Sequence, residues 1–194
     1  MSYRSINIQS SYLENDLGKC IYDVVVRLKP KKVVEFGTLK GYSAIAIAMA
    51  LRDNGYGHLY AYDLWEKYPH KHEDQNTCRD NLRKYGLENY VTLDQIDFWE
   101  WLKEPEEFDL LHLDISNTGY IISSVAEALH THVDKGATIL FEGGSDDRDK
   151  VDWMIKFDKQ PIFPLKDVIG YKILSEKYPS ISIIEKQVHD RVHE

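Results

Sequence analysis

Val33-Val34-Glu35-Phe36-Gly37-Thr38-Leu39-Lys40-Gly41-Tyr42-Ser43-Ala44-Ile45-Ala46-Ile47-Ala48 decides the fold. The stretch opens on a short β-branched and aromatic run, Val33 to Phe36, of the kind that forms a buried strand. It continues from Gly41 to Arg52 as GYSAIAIAMALR, whose alanines and aliphatics suit a helix lying flat on a sheet. Gly37 and Gly41 bracket the turn between them. Glycine there lets the backbone turn tightly and approach a ligand closely. The first N–H groups of the helix lack partners and carry the positive end of its dipole, which suits a carboxylate or phosphate. Ser43 adds a hydroxyl donor or a cap.

Outward from this unit the chain alternates strands and helices. Ser11 to Leu28 reads as a helix, with Leu13, Leu17, Ile21, Val24, Val25 and Leu28 near one face, and Pro30 stops it. After the glycine turn and its helix come strand 58–63, a polar and aromatic loop 64–73, helix 74–85, strand 90–93 and strand 108–114. Helix 119–132, strand 136–142 and helix 146–157 follow. Strands 170–174 and 181–184 flank the turn Lys177-Tyr178-Pro179-Ser180. No repeat, linker or low-complexity segment interrupts this order, so a single domain spanning 1–194 is expected. The expected fold class is α/β: a doubly wound, mostly parallel seven-stranded sheet with a late antiparallel strand and helices on both faces. In such sheets ligands bind at the carboxyl ends of the strands, where Glu35, Asp63, Asp114 and Glu142 all fall.

The glycine turn is not a dinucleotide fingerprint, because Leu39 stands where G-x-G-x-x-G needs its second glycine. Nor is it a P-loop, because Lys40 is not part of a Gly-Lys-Ser/Thr run. The order E-x-G-x-x-x-G-Y-S, read with the alanine-rich helix and Asp63, is similar to motif I of class I S-adenosylmethionine-dependent methyltransferases. It most resembles the small-molecule O-methyltransferases of the catechol type and their sugar- and antibiotic-modifying relatives. The likeness runs from about Leu17 to Gly144 and includes DLLHLD and GATILFEGG as the fourth and fifth strands.

That resemblance implies a Rossmann-like methyltransferase fold and S-adenosyl-L-methionine as cofactor. It implies that the helix N-terminus and Ser43 hold the methionine carboxylate and that Glu35 helps place the amino group. It puts Asp63 on the ribose hydroxyls, where a carboxylate accepts from both, with Leu64 beside it, and Asp97 near the adenine amino group. Gly37, Thr38, Gly41, Tyr42, Trp65, Phe98 and Asp114 complete the expected cofactor contacts. Two plainer readings stay open: Asp97 caps the segment FWEWL, and Trp65 and Phe98 are core or rim aromatics.

Methyl transfer to a hydroxyl needs the partners aligned and the hydroxyl proton removed, by a base or a metal. In the catechol-type branch a divalent metal is held by Asp after the fourth strand and Asp-Asn after the fifth. Asp114 matches the first ligand, but Glu142-Gly143 replaces the pair. The lysine that often follows the first Asp is missing from Asp114-Ile115-Ser116-Asn117, and so is the histidine of the Asp-Gly-x-His run in sugar-modifying families. Asp114 and Glu142 with water and substrate oxygens make an octahedral Mg²⁺ site one open reading. In its absence Asp114, Glu142 and His112 are the candidate general bases, with a hydrogen-bonded core histidine as the alternative for His112. Asp146, Asp147 and Arg148 open a helix, where they contact substrate or, as the favoured reading, complement the dipole. His70 and His72 lie in a loop suited to a substrate lid. That pair and His130 with His132 read as surface histidines, since no third ligand converges on either.

The formal charge of −8 over 194 residues, with no basic stripe, argues against nucleic acid as a partner. No apolar run is long enough to cross a bilayer, and the N-terminus lacks the apolar stretch of a secretory signal. A cytoplasmic location without membrane association is expected, with Cys20 and Cys78 as reduced structural thiols. The expected partner is a small-molecule or sugar acceptor. Two other classes stay open: a nicotinamide-dependent oxidoreductase, and a non-catalytic relative that keeps the cofactor pocket.

Overall fold

In the computed structural model, residues 2–69, 73–162, 165 and 167–186 are described. His70 and His72, and the polar tail from Gln187 onward, lie outside them. Helix α1 (Leu17–Leu28) leads into strand β1 (Lys32–Phe36), then α2 (Tyr42–Asn54) and β2 (His58–Asp63). Next come α3 (Gln75–Lys84), β3 (Val91–Gln95), the single turn α4 (Phe98–Trp101) and β4 (Leu110–Leu113). Helices α5 (Gly119–Ala128) and α6 (His130–Asp134) precede β5 (Thr138–Glu142). Helices α7 (Asp146–Asp149) and α8 (Asp152–Lys156) precede the closing pair β6 (Tyr171–Ser175) and β7 (Ile181–Ile184).

The strands form one seven-stranded sheet in the order β3-β2-β1-β4-β5-β7-β6. Every neighbour from β3 to β5 is parallel, and β7 runs antiparallel to both β5 and β6. The doubly wound sheet with a late antiparallel strand is therefore present, and β7 lies inside the sheet rather than at its edge. Two apolar layers cover its faces. One packs α1 and α2, which is buried from Tyr42 to Leu51, against Val33, Leu59, Ala61, Leu110 and Leu140. The other joins Val34, Phe36, Leu111, Leu113, Ile139 and Phe141 to α5 and Trp101. The alternation of faces along β1, β4 and β5 follows from the two-residue period of a strand. It explains why these strands read as continuous apolar runs.

Four expected elements differ in detail. The first helix starts at Leu17, because Asp16 takes a left-handed conformation (φ 47°) and 11–16 forms turns. Leu13 is 40% exposed and lies off the buried face. Helix 119–132 breaks at Leu129 (φ −106°, ψ 9°), where the Nδ1 of His130 bonds the Glu127 carbonyl. Helix 146–157 divides at Val151, whose ψ of 150° is extended. The loop 64–73 contains a 3₁₀ turn at Trp65–Lys67.

Candidate active site

The strand order turns back on itself between β1 and β4, the place where parallel sheets open a crevice. Gly37 leaves β1 there with φ +88°, and a Cβ on it would run into the carbonyl oxygen of Asp114 at the end of β4. Only glycine fits that approach. Above it lies a cavity of about 530 Å³ whose walls include Gly37, Leu39, Asp63, Asp97, Asp114 and Glu142.

On the β2–β3 side the walls are set by backbone hydrogen bonds. Asp63 Oδ2 accepts from the Leu39 N–H (2.8 Å), and Oδ1 accepts from the N–H groups of Leu64 (2.7 Å) and Trp65 (3.2 Å). The carboxylate thus ties the glycine turn to the end of β2 and keeps part of its acceptor capacity. Leu39 is held in a left-handed conformation (φ 46°), with its carbonyl accepting from the Trp65 indole N–H at 3.0 Å. Trp65 is buried in the core, outside the cavity lining. Asp97 caps α4, accepting from the Trp99 and Glu100 N–H groups at 2.8 and 3.1 Å, and also lines the cavity beside Leu64 and Phe98. The cap and the site position are therefore compatible.

Beneath the turn, Glu35 and His112 are register partners on β1 and β4. Both are fully buried, with His112 Nδ1 donating to Glu35 Oε1 at 3.0 Å and Thr38 Oγ1 donating to Oε2 at 3.1 Å. Gly41, Tyr42 and Ser43 form the start of α2 behind this layer, with Tyr42 and Ser43 buried. None of Glu35, Thr38, Gly41, Tyr42, Ser43 and His112 borders the cavity. They support its floor.

The β4–β5 side is built by side chains. Glu142 and Arg148, 6% and 3% exposed, form a two-pronged ion pair: Nε to Oε1 at 2.7 Å and Nη2 to Oε2 at 2.9 Å. Nη2 also donates to the Asn117 carbonyl at 2.9 Å, and Asn117 Nδ2 bridges the Leu113 and Glu142 carbonyls. The turn Gly143-Gly144, with φ +106° and +105°, reverses the chain so that Arg148 returns to the strand end. Arg148 was expected at the mouth of a helix as a dipole partner or substrate contact, and it lies inward, bonded to Glu142.

Burial pushes the Asp114 carboxyl above its ordinary range, with His112, the Tyr12 hydroxyl and Arg148 opposing and Glu35 adding repulsion. Burial likewise pushes Glu142 up to about 7, against the pull of Arg148. Tyr12, from the segment before α1, has a buried hydroxyl that interacts with the Asp114 carboxyl. Burial and the carboxylates Asp114, Glu142 and Glu35 hold that phenol well above the usual tyrosine range. Sequence reasoning missed Tyr12, because nothing in SSYLEN marks a residue that crosses to the ends of β4 and β5. Trp153 and Tyr178 at the cavity wall were missed for the same reason.

A family model described as a methyltransferase domain matches residues 34–142. The chain belongs to this methyltransferase family. No curated protein matches it in sequence. Solved structures share its fold at low identity. The methyltransferase PaMTH1 of Podospora anserina, bound to S-adenosylhomocysteine, is 18% identical, with 93% of this chain and 80% of that one covered and a TM-score of 0.60. TomG of Streptomyces achromogenes, an O-methyltransferase of tomaymycin synthesis in complex with S-adenosylmethionine, is 16% identical (93% and 82% covered, TM-score 0.58). The O-methyltransferase of Bacillus cereus with S-adenosylhomocysteine is also 16% identical (94% and 84% covered, TM-score 0.56).

In this methyltransferase the carboxylates beyond β4 and β5 do not fit a divalent cation. Both Glu142 oxygens are engaged by a guanidinium. Among the described residues no three His, Cys, Asp or Glu side chains gather as ligands. His130 and His132 sit on α6, away from the cavity walls. No helix among the described residues is long and apolar enough to cross a membrane.

Proposed function

We propose that the protein transfers a methyl group from S-adenosylmethionine to a hydroxyl of a small-molecule or sugar acceptor, without a metal. The observation that carries this reading is one cavity that runs from Asp63 and Asp97 over Gly37 to Asp114 and Glu142. It spans the distance between a nucleoside end and a chemical end across the sheet's reversal point. Its charged walls are four carboxylates, Asp63, Asp97, Asp114 and Glu142, and one guanidinium, Arg148. That balance favours a cation and disfavours the pyrophosphate of a nicotinamide cofactor.

The cofactor supplies an electrophilic methyl group on a positively charged sulfur. Asp63 and Leu64 receive the ribose, and Asp97 with Phe98 receives the adenine. The turn from Gly37 to Gly41 holds the amino-acid end, backed by Glu35 and Thr38. Asp114 takes the acceptor's proton, since its raised affinity for a proton brings it nearer the operating pH of a general base. Glu142 is held by Arg148 and fixes the wall opposite, and His112 orients Glu35 from below. Calorimetry with S-adenosylmethionine and S-adenosylhomocysteine tests the reading: both bind, NADH does not, and absence of binding by either nucleoside overturns it.

A further inference from the structure

Arginine presents five N–H donors. In Arg148 the single Nε–H goes to Glu142, and the two on Nη2 go to Glu142 and to the Asn117 carbonyl. Nη1 is buried and has no hydrogen-bond partner among the described residues. A buried donor of a charged group left unpaired is costly, so natural structures seldom keep one without a use. Arg148 borders the cavity together with Asp114, Trp153 and Tyr178. The Trp153 ring lies over the guanidinium, 5.0 Å from Cζ to the ring centroid. Trp153 therefore lies against the guanidinium and is also a wall of the space a ligand would enter.

We propose that Arg148 is the residue that binds the acceptor oxygen, through Nη1, with the Trp153 ring shifting to admit a small planar hydroxyl compound. This rests on the methyltransferase reading above. The guanidinium is held in place by Glu142 and Asn117, so its free edge is presented in a fixed direction. Glu142 balances its charge, and the rest of the cavity is acidic, so the compound enters neutral. Its hydroxyl proton passes to Asp114, and the oxygen that loses the proton is held by Nη1. The positive group that a metal-dependent enzyme would supply as an ion is here part of the chain.

The experiment uses the full chain saturated with S-adenosylhomocysteine and 4-nitrophenol as probe, whose ionised form absorbs visibly. At fixed pH the phenolate band grows as the probe binds. The methyl ether, 4-nitroanisole, has the same ring and no ionisable oxygen, and it binds about tenfold or more weakly. Arg148→Lys keeps a positive partner for Glu142; it binds S-adenosylhomocysteine as the parent does and loses the phenolate band. The proposal is overturned if the ether binds as tightly as the phenol. It is also overturned if Arg148→Lys retains the band, or if the parent binds S-adenosylhomocysteine and takes up no probe. Failure of the parent to bind S-adenosylhomocysteine fails the methyltransferase reading itself. The comparison of phenol and ether needs no variant, so it stands even where Arg148→Lys does not fold.

Discussion

The two halves of the cavity are made in different ways. The half over β1, β2 and β3 is shaped by main chain: a glycine turn, a left-handed Leu39 and a carboxylate, Asp63, that collects three backbone N–H groups. The half over β4 and β5 is shaped by side chains brought from far apart: Tyr12 before α1, Asn117, Glu142 and Arg148. A backbone-built wall accepts little change in conformation and much change in side-chain type. A wall built from one ion pair does the reverse. Such a division suits a site whose cofactor is common to a family and whose acceptor is particular to one protein.

The largest effect that separates the halves is expected from Gly37→Ala. A left-handed conformation costs a non-glycine residue about 1–2 kcal/mol, and overlap of the new Cβ with the Asp114 carbonyl raises the total to about 3 kcal/mol or more. Because the clash lies at the seam, it also displaces Asp114. Urea unfolding measures the stability loss, and calorimetry should show S-adenosylhomocysteine binding abolished. A variant with parental affinity would mean that the seam is softer than its geometry implies.

Arg148→Met comes next and tests the side-chain half. Breaking a buried pair by removing one partner costs about 3–5 kcal/mol, since Glu142 is left as an uncompensated buried charge. The sign with pH follows from the raised carboxyls. In the folded state Glu142 and Asp114 hold their protons at pH values where the unfolded chain has released them. Their contribution to stability therefore falls as pH rises from the ordinary carboxylate range toward about 7. Without Arg148 the Glu142 carboxyl moves higher still. The variant is thus less destabilised near about pH 5 than near about pH 8. Urea midpoints at both values measure the difference, and Glu142→Gln in the same background should reduce it to the share carried by Asp114.

This same division decides what could be read in the sequence. The strand, glycine turn and alanine-rich helix lie in one run, Val33 to Ala48, so their meaning is local. The alternation of elements then placed Asp63, Asp114 and Glu142 at strand ends. Leu39 gave no sign of its left-handed backbone, because its conformation is imposed by Asp63 and Trp65. The Glu142–Arg148 pair stayed hidden although its members are only six positions apart. A charged residue opening a helix ordinarily faces water, and the reversal at Gly143-Gly144 that turns Arg148 inward depends on Ser180 and Ser182 of the β7 region. Close to the break at Val151, Asp149 at the end of α7 accepts from the Ile162 N–H at 3.0 Å, a tie to a distant segment that the local sequence does not show.

Trp65→Phe sharpens the comparison with the smallest effect. Trp65 follows Asp63 by two positions, a place that reads as either an adenine contact or a core aromatic. In the structure its ring is buried, outside the cavity lining, and its one polar atom holds the Leu39 carbonyl. Phenylalanine keeps most of the apolar surface and loses that hydrogen bond. Leu39 is partly exposed, so water can reach its freed carbonyl, and the expected cost is about 1 kcal/mol or less. Affinity for S-adenosylhomocysteine should fall less than about fivefold, through a looser glycine turn alone. A ring that stacked on adenine would lose much more affinity while leaving the unfolding midpoint in place. Calorimetry and unfolding on one variant therefore distinguish a residue that shapes the backbone wall from one that touches the ligand.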